Sequence, residues 1–282
     1  MNDLWLAAAV MAAVTFALFF AGLALGRRLS PRAGAALAFG VCAFIVGFTF
    51  HLSDKLVLAR LLPFSSVIVL GDWLPPAVAL LAGLAWRRMP GGPWRRAVLV
   101  VPLVAICGMR SYGRLFGEVP PLGQARWKAG VCRQTSQASC SSAAAATLLA
   151  ARGIDATEAE MAALCLTRDA GTSMLGLYRG LKLKTRGTRW DVEAFRGDIE
   201  SLRREPGPVI LSVRLDPGSG VDACYQQLWG WAPGVNHTVV FFGFAGDGKT
   251  DVGDPAIGRE HWREEDVRVL WHGEGIRLVS RE

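Results

Sequence analysis

Gln134-Thr135-Ser136-Gln137-Ala138-Ser139-Cys140, followed by the alanine-rich run over 143–151, is the stretch on which the reading of this chain turns. A cysteine at the mouth of a helix-forming segment sits among free backbone N–H groups at the positive end of the helix dipole, which favours the thiolate, the nucleophilic form of sulfur. Cys140 is therefore the candidate nucleophile. Taken alone, such a residue is more often a buried structural thiol. What shifts the balance is the set of residues found with it.

A nucleophilic cysteine needs a base and a group to orient that base, and the fold can bring both from far along the chain. His237 opens the apolar run 238–242, and Asp254 precedes Pro255 in Asp251-Val252-Gly253-Asp254-Pro255. Gln134, six residues before the cysteine, has an amide that can point at a developing oxyanion. Asp251 competes with Asp254 as the orienter, and Asn236 reads as a turn residue before the strand. Trp229 and Trp231, in the loop before His237, either line a substrate groove or cover the core. His261 and His272 receive no role.

Together, Gln134 and Cys140 at this spacing, the helix after them, His237 starting a strand and Asp254-Pro255 beyond it resemble the bacteriocin-processing, double-glycine-leader cysteine peptidases, over roughly residues 126–282. The resemblance implies a papain-like fold with Cys140 as nucleophile, His237 as general base, Asp254 as its orienter and Gln134 in the oxyanion hole. It also implies a peptide precursor as substrate, cut after a Gly-Gly leader, and no cofactor. One departure stands out. The family places Gly-Pro directly after the nucleophile, whereas this chain has Ser141-Ser142, and a side chain at 141 is expected to narrow the site or alter the oxyanion hole.

The 282 residues are 51% hydrophobic with a formal charge of +7 and a mean hydropathy of +0.29, an average over two unlike halves. The first 110 or so residues are membrane-like, and the remainder reads as a domain long enough to bury its own core. Much of the basic excess is arginine flanking apolar segments, which points to membrane orientation and away from nucleic acid. The six cysteines show no CxxC and no Cys/His cluster, which argues against zinc or a redox motif. A disulfide among Cys132, Cys165 and Cys224 stays open for an extracytoplasmic domain.

Residues 4–25 are long and apolar enough to span a bilayer and have no basic region before them, so a retained helix is expected. Further spans are expected over 33–50, 64–86 (interrupted by Asp72 and Pro75-Pro76) and from 97 onward, four in all. Asp72 reads as an intramembrane site or as the mark of a break between two shorter segments. Arginines at 27, 28 and 32 and at 87, 88, 95 and 96 fall on one side of a four-span arrangement, which the positive-inside rule makes cytoplasmic. The catalytic half would then face outward from the inner membrane of a bacterial cell.

The domain reading is a membrane region over 1–116, a Pro/Gly linker over 117–125 and a catalytic domain over 126–282. Within the last, helices are expected from Cys140 to about Arg152 with Gly153 as cap, from a capping box at Thr157 through Leu166, and over 173–181 and 191–204. Strands are expected over 209–215, 238–244, 250–252, 267–271 and 276–279. Helices first and an antiparallel sheet afterwards is an α+β order, here following a transmembrane helical region. The stretch Gly243-Phe244-Ala245-Gly246-Asp247-Gly248-Lys249-Thr250 spells a P-loop, but nothing after it can begin the required helix; Gly246-Asp247-Gly248 reads as a hairpin turn, and no nucleotide is expected.

These readings converge on a membrane-anchored cysteine peptidase whose partners are a peptide substrate, the lipid bilayer and a separate transporter, since the chain is expected to lack the ATP-binding cassette that many relatives carry. Two other classes remain at this point: a catalytically inactive peptide-binding or sensor domain, prompted by Ser141-Ser142, and an accessory subunit of a peptide export system, prompted by Asp72.

Overall fold

A computed structural model describes residues 2–113, 116–221 and 223–281. The chain forms two compact units, one of residues 1–58 and 66–117, the other of 59–65 and 118–282.

In the first unit, α1 (Asn2–Arg28) gives way to α2 (Pro31–Gly47) at a short break. There Ser30 Oγ accepts from the Ala33 N–H (3.3 Å) and Pro31 takes the first helical position, where its missing donor would have had no partner. A π-helical turn over Phe48–Leu52 prolongs α2. The short α3 (Val57–Leu61) runs from the first unit into residues 59–65 of the second, and the first unit resumes with α4 (Val67–Leu70), α5 (Leu74–Ala85) and the longer α6 (Pro93–Tyr112). α1 and α5 approach backbone to backbone, because a Cβ on Gly83 would lie 2.2 Å from the Phe19 carbonyl oxygen and one on Gly22 would lie 2.4 Å from that of Leu80. Small residues are what permit such a crossing without water to drive it.

Asp72 lies at the break between α4 and α5 and accepts the Leu74 N–H at 3.3 Å. Among the described residues, three runs qualify by length and composition to cross a membrane: Asn2–Arg28, Pro31–Leu52 and Val67–Ala85. That is one fewer than the sequence suggested. α6 has the length, but Arg95, Arg96 and Arg110 place three cations within its 20 residues.

The second unit opens with a hairpin of β1 (Arg126–Lys128) and β2 (Val131–Arg133), turned through Ala129 and Gly130, both at positive φ. Next come α7 (Cys140–Ala150), α8 (Glu158–Leu164) and α9 (Met174–Lys184). α7 ends in a Schellman arrangement. The Ile154 N–H reaches Leu149 O (3.0 Å) and the Gly153 N–H reaches Ala150 O (3.0 Å), with Gly153 at φ 72°. Thr157 caps α8 by accepting from the Glu160 N–H (3.1 Å).

The remaining elements are β3 (Trp190–Arg196), α10 (Ile199–Arg203), β4 (Val209–Arg214), α11 (Cys224–Gln227), β5 (Asn236–Gly246), β6 (Lys249–Asp254), β7 (Gly258–Arg263), α12 (Glu264–Leu270) and β8 (Trp271–Ser280). The strands form one six-stranded sheet in the order β3-β8-β4-β5-β6-β7, every neighbouring pair antiparallel. Along β4 and β5, Val209, Leu211, Val213, Val239 and Phe241 join a core with Ile199, Leu202, Trp262 and Leu270. Thr238, of opposite parity, meets α7 through its hydroxyl.

Two expected elements are corrected. Residues 191–204 are not one helix. Val192 and Ala194 are buried at alternate positions of β3, paired to β8, and Asp198 then caps the short α10 through Ser201 (2.9 Å). Residues 267–270 are not strand but the end of α12, where Val267 and Leu270 are buried at helical spacing and Val269 is exposed; only Trp271 is strand, as the first residue of β8. Three acids in the first turn, Glu264, Glu265 and Asp266, favour that helix through its dipole and outweigh the β-branched residues. The stretch 243–250 is the β5–β6 hairpin, with Asp247 and Gly248 at positive φ and a strand after the turn. The edge strand β7 is polar except for Trp262 and went unread for that reason.

Candidate active site

The segment before α7 is tied down at several points. The Gln134 N–H donates to Pro255 O (2.9 Å), Arg133 donates from Nε to Pro255 O (3.2 Å) and from Nη1 to Ile257 O (2.8 Å), and its other nitrogen reaches Ala256 O. Glu158, almost wholly buried, accepts both the Thr135 N–H and the Thr135 hydroxyl at 2.8 Å. The turn at 136–139 is closed by Ser139, whose Oγ donates to Ser136 O (2.9 Å) and accepts the Ser136 N–H (3.1 Å). Cys140 is thereby delivered as the first residue of α7, among N–H groups that have no helical acceptor.

β5 and β6 bring up the other side chains. His237 Nε2 lies 2.7 Å from Asp254 Oδ1, so with the carboxylate ionised Nε2 carries the proton and Nδ1 is left for the thiol. Asp254 is fully buried and its remaining capacity is filled, Oδ1 by the Ala256 N–H (2.7 Å) and Oδ2 by Trp231 Nε1 (3.2 Å). The Trp231 ring also stands edge-on to the imidazole, centroids 4.9 Å apart.

Electrostatics favour an ion pair. Burial pushes the Cys140 thiol up, but the hydrogen bond and charge of His237, helped by the Ser141 hydroxyl and the Thr238 backbone N–H, outweigh it and hold the thiol below its ordinary value. Burial likewise opposes a charged His237, and the Asp254 carboxylate, through charge and hydrogen bond, raises the imidazole well above its ordinary value, with Cys140 adding to the effect. Both directions describe thiolate beside imidazolium.

Gln134, Cys140 and His237 line one cleft of about 460 Å³, along with Thr135 to Gln137, Trp229 to Ala232, Val235, Asn236 and Ala256. Among the described residues of that lining, His237 is the only titratable side chain besides the thiol. Gln134 Nε2 donates one hydrogen to Ser136 O (3.0 Å), and its second N–H is left for the cleft. The Gln134 carbonyl oxygen is buried without a hydrogen-bond partner among the described residues.

Asp251 does not reach the histidine. It pairs with Arg259 across β6 and β7, with Nε to Oδ1 at 2.7 Å. Ser141 does not narrow the cleft either: it is 3% exposed and its Oγ lies 2.8 Å from Thr238 Oγ1. Ser142 turns away to Thr167 (2.8 Å). Among the described residues, no disulfide joins Cys132, Cys165 and Cys224.

Two residues were not legible as site components. Glu158 looks like an ordinary first-turn acid beside its Thr157 cap, and nothing in the sequence links it to Thr135. Trp231 was left between groove and core, and it serves both, lining the cleft and donating to Asp254.

No family model matches the chain. Among solved structures it is similar to the peptidase domain of Streptococcus ComA, a bi-functional ABC transporter of a quorum-sensing pathway (TM-score 0.42, 18% identity, covering 53% of this chain and 96% of that one). It is also similar to a double glycine motif protease from an AMS/PCAT transporter, solved in complex with the leader peptide (TM-score 0.41, 18% identity, covering 57% and 96%). At such scores the chemistry has to be read from the chain's own residues. In sequence, it is 39% identical over 152 residues, 54% of its length and 89% of the other's, to Uncharacterized protein MTBMA_c00490 of Methanothermobacter marburgensis, and it belongs to that protein's family.

Proposed function

We propose that this chain is a membrane-anchored cysteine peptidase, with a membrane region over 1–116, a linker over 117–125 and a catalytic domain over 126–282. The observation that carries the reading is the alignment of Cys140, His237 and buried Asp254 at one cleft, with the imidazole proton on Nε2 committed to the carboxylate. In the mechanism, the Cys140 thiolate attacks the scissile carbonyl carbon, and the carbonyl oxygen takes up the charge. The backbone N–H of Cys140 and the free N–H of Gln134 hold that oxyanion. Imidazolium His237 gives its proton to the departing amine as the C–N bond breaks, leaving a thioester. Neutral His237 then takes a proton from water, whose oxygen attacks the thioester and expels the thiolate. Asp254 keeps the ring in the productive tautomer throughout.

The resemblance carried by Gln134, Cys140, His237 and Asp254 points to peptide precursors cut after a Gly-Gly leader, with export by a separate transporter. Apart from the Cys140–His237 pair, the described cleft lining has no charged side chain, which is consistent with small neutral residues at the scissile bond. With α6 as a fourth crossing, the catalytic domain lies opposite the arginine-rich loops, on the extracytoplasmic side of the membrane. A chain that crosses three times would put it on the arginine side instead.

The test is incubation of the detergent-purified full-length protein with synthetic precursor peptides bearing Gly-Gly or Ala-Ala junctions, read by mass spectrometry against Cys140→Ala. Cleavage after Gly-Gly that is absent in Cys140→Ala is the expected result. Absence of cleavage in every peptide, by a protein whose Cys140 remains reactive, would overturn the substrate class.

A further inference from the structure

We propose that the buried hydroxyl pair Ser141–Thr238 is a positioning device for the nucleophile, clamping the start of α7 to β5 one residue beyond the Cys140–His237 pair and turning the Ser141 O–H toward the sulfur. The inference rests on the peptidase reading above and deepens it.

Three observations carry it. The two hydroxyl oxygens are 2.8 Å apart and both residues are at most 5% exposed, so neither is satisfied by bulk water. Next, the clamp and the reacting pair share the same backbone: Cys140-Ser141 are consecutive on α7 and His237-Thr238 on β5. A bond that fixes the distance between 141 and 238 therefore restrains the distance between 140 and 237. Finally, the Ser141 side chain and the Thr238 backbone N–H are among the groups that, with His237, hold the Cys140 thiol below its ordinary value. Each hydroxyl has one hydrogen. With Thr238 O–H donating to Ser141 Oγ, the Ser141 hydrogen is left for the sulfur, and this is the direction the inference requires.

The departure from Gly-Pro thus becomes intelligible. Glycine at 141 has no hydroxyl to offer, and Ser141 adds a donor to the thiolate while leaving the cleft open. Ser142 takes no part, since its hydroxyl bonds Thr167.

The experiment titrates the ultraviolet thiolate absorbance of the full-length protein in detergent, taken as the difference from Cys140→Ala, for wild type, His237→Ala, Ser141→Ala, Thr238→Val, Thr238→Ser and the Ser141→Ala/Thr238→Val double variant. Ser141→Ala is expected to raise the midpoint by about one pH unit, which means about tenfold less thiolate on the acid side. Thr238→Val raises it by less, Thr238→Ser restores it, and the double variant shifts no further than Ser141→Ala because both act through one chain of bonds. The double variant leaves no unpaired hydroxyl, so its thermal midpoint is expected near wild type while its titration stays shifted, which separates positioning from folding.

A wild-type midpoint in Ser141→Ala, or shifts that simply follow thermal stability across the set, overturns the inference while a His237-dependent low midpoint leaves the peptidase reading standing. A wild-type midpoint at the ordinary thiol value, indifferent to His237→Ala, overturns both.

Discussion

α1 and α7 are both apolar helices, and they answer opposite problems. α1 runs for 27 residues with four of them buried, and it leaves Phe16 67% and Phe20 61% exposed. α7 runs for 11 residues, of which Ser141 to Leu149 are all buried. A helix apolar all round needs an apolar surrounding on every side. For α7 the protein supplies it; for α1 the surroundings must, and its length and composition suffice to cross a bilayer.

Their polar residues make the same point. Thr15 in α1 returns its hydroxyl to Met11 O (2.7 Å) within the helix, as a lipid-facing segment requires. In α7, Ser141 and Ser142 reach across elements to Thr238 and Thr167, while Thr147 returns its hydrogen to Ala143 O (2.9 Å) as Thr15 does and in addition accepts the Cys132 N–H (2.9 Å). The apolar surface of α7 fixes where the helix lies, and its three hydroxyls fix its register, which is what a helix bearing a nucleophile needs.

The sharpest way to break this contrast is a charge in each helix. Leu148→Asp buries an unpaired carboxylate in α7, is expected to cost more than about 4 kcal/mol and to abolish soluble-domain folding by circular dichroism. Phe16→Asp in α1 is expected to leave that domain folded and instead to lower the fraction of protein recovered in membranes. A smaller effect is expected at the α1–α5 crossing. Gly83→Leu forces a side chain into the Phe19 carbonyl and should separate the two helices, seen as faster protease nicking of the first unit with the hydrolytic activity retained.

Smaller again is Ser142→Ala, which removes one hydroxyl partner of Thr167 and leaves it Thr172, and is expected to destabilise by about 1–2 kcal/mol. Denaturant unfolding checks it, and peptide hydrolysis should persist because Ser142 faces away from the sulfur. The smallest effect is expected at Arg259→Ala. Its pair with Asp251 is partly exposed, so the change should be within about 1 kcal/mol and activity should be unchanged.

What could be read from the sequence follows from how local each signal is. Cys140 before an alanine run, His237 at the mouth of a β-branched and aromatic run, and Asp254 before a proline are each announced by immediate neighbours, so these positions and their elements were legible. Glu158 holding Thr135, and Trp231 donating to Asp254, are contacts across 23 residues each, with no local signature. Residues 190–196 failed for the same reason: pairing with β8, 80 or so residues on, decided a segment whose apolar spacing also suits a helix. The 264–270 helix was legible in principle, from its acidic first turn, and the alternation of valines hid it.

The central claim is that Cys140 and His237 rest as thiolate and imidazolium. The most direct test is a brief iodoacetamide pulse on the full-length protein over a series of pH values, with peptide mapping of the modified cysteine. A lowered thiol value means that thiolate persists as pH falls below the ordinary value of about 8.5 and is lost only through the lowered one. A raised imidazole value means that the cation persists as pH rises above about 6.5. Cys140 should therefore label fast and evenly across neutral pH, and His237→Ala should lose that plateau and begin to label only near the ordinary thiol value. Labelling of wild-type Cys140 no faster at neutral pH than that of Cys224, with or without His237, would contradict the account.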